Sequence, residues 1–302
     1  MEMHIVLAPD DNYAKHAACV MRSASANAAQ GGSVNFWILD GGLSEASKAL
    51  LRGAAERVNF IKIDAAMFAG FPSQGYITVS TWYRFAIAGL MPADVSRVLY
   101  LDCDVAVASG LEGLFGINLD GFAVAAVKDC IWQKFDRRAG LPPSHHYFNA
   151  GVLLVNLDYW RENGVQKRLM DFIGGSAERM KMMDQTVLNI VLKDEYKELP
   201  LCWNVQYVPP FLEECCYARA EIRAAMKAPK IIHYVNVFKP WSETLGRFNP
   251  LAGYFTAFME KPPRRAGCAA LTFARLLLKK AARKPLFFLR RDYFNNIRIH
   301  LF

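Results

Sequence analysis

Val98-Leu99-Tyr100-Leu101-Asp102-Cys103-Asp104-Val105 is an apolar run that ends in two carboxylates one residue apart and then turns apolar again. The residues before the pair read as a buried strand. Strand side chains alternate with a period of two, so Asp102 and Asp104 are expected on one face at the strand's end. Like charges brought together there repel each other and lose hydration, and something positive must compensate them. A divalent cation fits, because carboxylate oxygens are its preferred ligands.

Upstream of this stretch, strands are expected over residues 3–8, 34–39 and 58–63, with helices over 14–29 and from the Ser44-Glu45 cap to about residue 56. This alternation is the signature of βαβ units, so the chain reads as an α/β protein with a mainly parallel central sheet flanked by helices. Ligands bind outside the carboxyl ends of such strands. Both Pro9-Asp10-Asp11-Asn12 and Asp102-Cys103-Asp104 fall there. Downstream, Thr81 to Ile87 opens a helix, 122–127 is a strand, and 128–143 is loop-like. Tyr147 to Leu157 is a long apolar strand with Asn149-Ala150-Gly151 near its start. Residues 159–173 and 184–191 read as helices. Short strands follow, ending in Ile231-Ile232-His233-Tyr234 before Lys239-Pro240-Trp241.

The 302 residues are 53% hydrophobic and 21% charged, an ordinary globular balance. The seven cysteines are odd in number and scattered, with no C-x-x-C pair. That pattern argues for reduced thiols and against a disulfide framework or a zinc site. Vicinal Cys215-Cys216 reads as two buried core thiols, with a redox-active pair as the alternative. No signal peptide and no spanning apolar run of ~18–20 residues is visible, so a cytoplasmic protein is expected.

The net charge of +8 is uneven. Residues 261–302 hold eleven Lys/Arg and one acid, leaving 25 basic and 27 acidic residues in 1–260. The main domain therefore gives no support for nucleic-acid binding. Pro262-Pro263-Arg264-Arg265 marks a boundary, so a domain over 1–261 and a tail over 262–302 are expected. In the tail, residues 266–284 are helix-prone, with Arg275, Lys279, Lys280, Arg283 and Lys284 on one half of the helical wheel. Leu286-Phe287-Phe288-Leu289-Arg290-Arg291 follows. This cationic and aromatic mixture suits the surface of an anionic membrane, placing the protein peripherally on the inner face of the cell membrane.

At Asp102-Cys103-Asp104, Asn149-Ala150-Gly151, Asp184-Gln185 and His233-Tyr234…Lys239-Pro240-Trp241, the chain resembles glycosyltransferase family 8 over about residues 3–245. That family includes glycogenin and the bacterial lipopolysaccharide galactosyl- and glucosyltransferases, and within it the chain most resembles the lipooligosaccharide α-galactosyltransferases. The resemblance implies a GT-A fold, a UDP-hexose donor (galactose or glucose), a glycan or glycolipid acceptor, and retaining transfer. It implies Mn²⁺, with Mg²⁺ as the other option, held by Asp102, Asp104 and His233. It further implies donor contacts from Ala8, Asp10, Asn12, Arg84, Cys103, Asn149, Ala150, Gly151, Asp184, Gln185, Asn236 and Lys239.

Gln185 matches the position nearest the anomeric carbon, Asp184 a donor-sugar ligand and Lys239 a counter-charge for the leaving diphosphate; these three are the catalytic candidates. An amide is a poor nucleophile, and Thr186 stands where many relatives have Asp, which favours front-side attack over a covalent intermediate. Asn236 stands where relatives commonly have Gly. Two other classes fit parts of the pattern. One is a haloacid-dehalogenase-like phosphotransferase with Asp102 as nucleophile, and the other is a non-catalytic UDP-sugar-binding module.

Overall fold

The computed structural model describes residues 1–28, 32–73, 78–130, 140–142, 145–175, 183–207, 215–235 and 237–263. The strands are β1 (Glu2–Leu7), β2 (Ser33–Asp40), β3 (Val58–Lys62), β4 (Arg97–Leu101), β5 (Val105–Val107), β6 (Val124–Lys128), β7 (Phe148–Asn156), β8 (Tyr196–Glu198), β9 (Val205–Gln206) and β10 (Ile231–His233). Seven of them form one sheet in the order β3-β2-β1-β4-β7-β6-β8, and a second sheet runs β5-β10-β9. β1 lies parallel to both β2 and β4, and β2 parallel to β3. β7 is antiparallel to β4 and β6, while β8 is parallel to β6. The mainly parallel α/β reading therefore holds, with one strand reversed.

Alternation explains why the large sheet sits in the middle. Met3, Ile5 and Leu7 pack with Ala17, Val20 and Met21 of helix α1 (Ala14–Asn27) on one face. Val6, Val98, Tyr100 and Leu153 face the other way, into a second core containing Trp82, Phe85 and Trp160. Phe85 and Phe148 are fully buried, and each such side chain contributes about 1.5–3 kcal/mol. β7 is buried from Phe148 to Val155 because both of its faces are covered, so it reads as a continuous apolar run.

Three sequence expectations change. The Thr81 segment is a 3-10 helix, Val79–Ala86, before one α-turn, Ile87–Leu90. The three-residue repeat stacks Arg84 over Thr81, and the Arg84 Nε donates to the Thr81 carbonyl at 2.8 Å. The helix expected over 159–173 is two, Leu157–Glu162 and Val165–Gly174, divided at Gly164, whose φ of 57° is left-handed. Helix α2 (Glu45–Arg52) starts at its Ser44 cap as expected but stops four residues early, at Gly53.

The most consequential correction concerns the opening stretch. β4 ends at Leu101, and Asp102-Cys103-Asp104 is a turn that hands the chain to β5 in the second sheet. The two carboxylates do not share a strand face; they sit at the seam between two sheets. The tail beyond residue 263 and Asn236 lie outside the described residues. Among the described residues no helix is long and apolar enough to cross a membrane.

Candidate active site

A cleft of about 440 Å³ opens beyond the carboxyl ends of β1 and β4. That volume is within the ~300–1,000 Å³ typical of small-molecule sites. Backbone pairing builds its floor. β10 runs antiparallel to β5 with His233 opposite Val105, which sets the imidazole beside Asp104. The amide N–H of Asp102 donates to the Gly151 carbonyl at 2.8 Å, carrying the β4–β7 pairing one residue into the turn. Ligand atoms of Asp102, Asp104 and His233 thus come within 4.8 Å of one another, the one such grouping of potential metal ligands among the described residues.

The cluster fits a divalent cation. Asp104 Oδ1 is buried, lies 3.1 Å from His233 Nε2, and has no hydrogen-bond partner. Asp102 Oδ2 stands 3.7 Å from the same nitrogen. A methyl group added at Gly151 would lie 2.1 Å from His233 Cε1 and 2.7 Å from Asp102 Oδ2, so only glycine lets the two ligands converge there. Lys239 Nζ is hydrogen-bonded to Asp104 Oδ2 and to the Tyr234 carbonyl. Burial opposes ionisation of Asp104, but the Lys239 ammonium beside it outweighs that and holds the carboxyl well below the usual range.

The other His233 nitrogen is committed. Nδ1 lies 3.0 Å from Asn149 Oδ1, which also accepts from Gly151 N at 3.0 Å and Asn204 Nδ2 at 2.9 Å. The Asn149 amide cannot be flipped, because its Nδ2 donates to the carboxylate of Asp129 at 3.0 Å. Nδ1 must therefore carry a proton, which leaves Nε2 aimed at the two aspartates. Partners of this kind fix the orientation and basicity of a metal-ligating histidine.

Arg84 organises the opposite wall. It is 4% exposed, donates to Asp102 Oδ1 at 2.8 Å and to the Ala150 carbonyl at 2.7 Å, and pairs with Asp184 Oδ2 at 3.3 Å. It also stacks on Tyr100, 4.3 Å from the ring centre, while the Tyr100 hydroxyl donates to Asp102 Oδ1. Burial works against the guanidinium charge, but Asp102, Tyr100 and Asp184 keep it firmly protonated. Burial raises the Asp184 carboxyl, with Arg84 opposing. One oxygen of Asp102 is thereby spoken for and the other is turned to the cluster.

Gln185 is held on all sides. Its Oε1 accepts from Ala150 N and Asn149 Nδ2, and its Nε2 donates to Asp129. Ala8, Asp10, Cys103, Ala150 and Lys239 line the cleft. Asp10 accepts from Tyr13 N and Thr78 Oγ1. Asn12 is exposed and is not part of the cleft wall. Burial raises the Cys103 thiol well above its usual range.

Sequence reading missed Asp129, Asn204, Tyr100 and Thr81. Two of them carried a usable signal. Asp129 follows β6 at its carboxyl end, and Tyr100 precedes Asp102 by one strand period. Asn204, fully buried at a 3-10 turn, gave none.

Residues 4–245 match the model of glycosyl transferase family 8. General stress protein A of Bacillus subtilis is 27% identical over 250 residues, covering 80% of this chain and 87% of that one. A lipopolysaccharide 1,3-galactosyltransferase of Salmonella typhimurium is 26% identical, covering 72% of this chain and 64% of its own. The crystal structure of the galactosyltransferase LgtC in complex with donor and acceptor sugar analogues superposes with a TM-score of 0.73 at 28% identity, covering 86% of this chain and 98% of that one.

Proposed function

The chain belongs to glycosyltransferase family 8, has the GT-A fold and is a retaining hexosyltransferase, and from that premise we propose its donor, ion, acceptor and route. The donor is a UDP-hexose, galactose or glucose. The ion is Mn²⁺, with Asp102, Asp104 and His233 as ligands; imidazole beside two carboxylates moves preference away from Mg²⁺. When bound, the ion neutralises charge that develops on the leaving diphosphate.

The protein's own groups do the rest. Lys239, now paired with Asp104, is the cation within reach of the same diphosphate. Arg84 and Asp184, fixed against each other, present donor and acceptor atoms to the hexose. The Gln185 amide, bonded through both ends, makes an unreactive wall under the sugar. With no free nucleophile at Gln185, the acceptor hydroxyl attacks from the side that the diphosphate leaves, and the departing phosphate takes its proton. Asn236 belongs to the donor side in this reading.

The acceptor is a lipopolysaccharide-type or lipid-linked glycan, a reading supported by the names of relatives. The 1–261 catalytic domain is brought to the inner membrane face by the basic 262–302 tail, whose charge contrasts with the near-neutral remainder. The observation that carries the proposal is the convergence of Asp102, Asp104 and His233 with an unpartnered Asp104 oxygen. The test is UDP release from UDP-Gal, UDP-Glc, UDP-GlcNAc and UDP-GalNAc, with and without Mn²⁺. Activity with neither hexose, or undiminished activity in Asp102→Asn, would sink it.

A further inference from the structure

Behind the cleft wall, three thiols gather where the chain returns past β6. The Cys216 N–H donates to the Cys130 carbonyl at 3.2 Å, which lays the two segments side by side. Cys130 Sγ points to the Gln206 carbonyl at 3.7 Å and Cys216 Sγ to the Asp129 carbonyl at 3.5 Å. Cys215 adjoins Cys216 in the chain, so the same pairing carries it alongside Cys130, and both other thiols act on its titration. Cys130 is 2% exposed, whereas Cys215 and Cys216 are only half-buried, contrary to the expectation of two core thiols.

We propose that Cys130 and Cys215 are a covalent modification site, closing to a disulfide in exchange with a low-molecular-weight disulfide such as oxidised glutathione.

The two thiols differ in the sense the exchange needs. Hydrogen bonds from Cys130 and Cys216 lower the Cys215 thiol, and the bond to Cys215 together with burial raises Cys130. The Cys215 thiolate attacks one sulfur of the small disulfide, forming a mixed disulfide and expelling one thiolate, which takes up the proton Cys215 has lost. Cys130 then gives up its proton and attacks Cys215 Sγ, expelling the second thiolate, which is protonated in turn. Two protein thiols are oxidised, and one small disulfide is reduced to two thiols. A link within Cys215-Cys216 is disfavoured, because adjacent Cα atoms ~3.8 Å apart fall short of the ~4.4 Å minimum a disulfide spans.

Cys130 directly follows Asp129, whose carboxylate holds Asn149 and Gln185, and Cys130 N itself donates to Gln206 Oε1. Drawing Cys130 toward Cys215 shifts that carboxylate. Misplacement by ~1 Å at a reacting centre costs up to ~10²-fold, so oxidation is expected to slow transfer by about 10-fold or more.

The test is the full chain incubated with excess oxidised glutathione. Intact mass falling by two hydrogens and a Cys130–Cys215 linked peptide are expected, with UDP release restored by dithiothreitol. The peptide map stands whether or not the UDP-hexose reading does. Cys215→Ser is expected to keep the untreated rate and lose the oxidative inhibition. In Cys130→Ala a glutathione adduct is expected to persist on Cys215. A persisting adduct on the wild-type chain, a Cys215–Cys216 link, or unaltered mass would overturn the proposal.

Discussion

The two halves of the cleft floor are built on opposite electrostatic plans. Around Arg84, Asp184, Asn149, Asp129 and Gln185, the hydrogen-bonding groups answer one another within the protein. Around Asp102, Asp104 and His233 the account is left open. A buried Asp104 oxygen has no partner, and His233 Nε2 faces two carboxylates. The closed half is preorganised and gains rigidity from low-dielectric bonding. The open half is completed only by what binds, so its affinity is stored as unmet demand. One cleft can thus be rigid in one half and receptive in the other.

Breaking the open half should have the largest effect. Asp104→Asn and His233→Ala are each expected to lower kcat by about 10²–10³, the usual cost of removing one preorganised electrostatic group. An initial-rate assay of UDP release reads it, and a loss under tenfold would mean that the demand is met elsewhere. Next comes ligand-linked stability. Mn²⁺ at 100 times its Kd should stabilise the fold by ~2.7 kcal/mol. Thermal melts should show that gain in the native chain and none in Asp104→Asn.

The boundary between the halves is sharpened by Asn204, whose Nδ2 feeds the open half through Asn149 and whose own buried Oδ1 is left without a partner. Asn204→Ala is expected to weaken Mn²⁺ binding by about 10–100-fold, as other supports of metal-ligating histidines do, measured by electron paramagnetic resonance titration. Unchanged affinity would make the two halves independent.

The smallest effect concerns His16, stacked 4.0 Å from Trp241 beside the Lys239 turn, with neither ring nitrogen partnered. Burial lowers its pKa from 6.5 to about 4. Between those values the unfolded chain binds a proton that the folded chain refuses. Stability therefore drops as the pH is lowered across that window, by ~1.4 kcal/mol per unit at most. Urea melts at pH 6.5 and 5 should show a loss of up to ~2 kcal/mol that His16→Phe lacks.

Much of this was legible beforehand because it rests on short-range pattern. The alternation of β1 and β4, the Ser44 cap and the order of the motif blocks are written in adjacent residues. What was not legible depends on pairing across the sheet. Nothing local reveals that Asp102 leaves β4 for a turn, or that β10 docks His233 beside it. The closed network was hidden for the same reason: Asn204, Asn149, Asp129 and Gln185 are far apart in sequence and meet only through tertiary packing. The split at Gly164 is different. Asn163-Gly164 is a turn dipeptide inside a helical pattern, and its signal was available but outweighed by the apolar period.

Gly151 also bears on how such a site survives divergence. Two of the three ligands are set by main-chain register, Asp102 through the Gly151 carbonyl and His233 through its pairing with Val105. Register tolerates exchange of one apolar residue for another of similar size, so most of both cores is free to drift while the ligands stay in place. The missing Cβ at 151 has no such substitute. Lineages of this chain can rewrite most of their sequence around the cluster, yet at that position the accessible alphabet contains one letter.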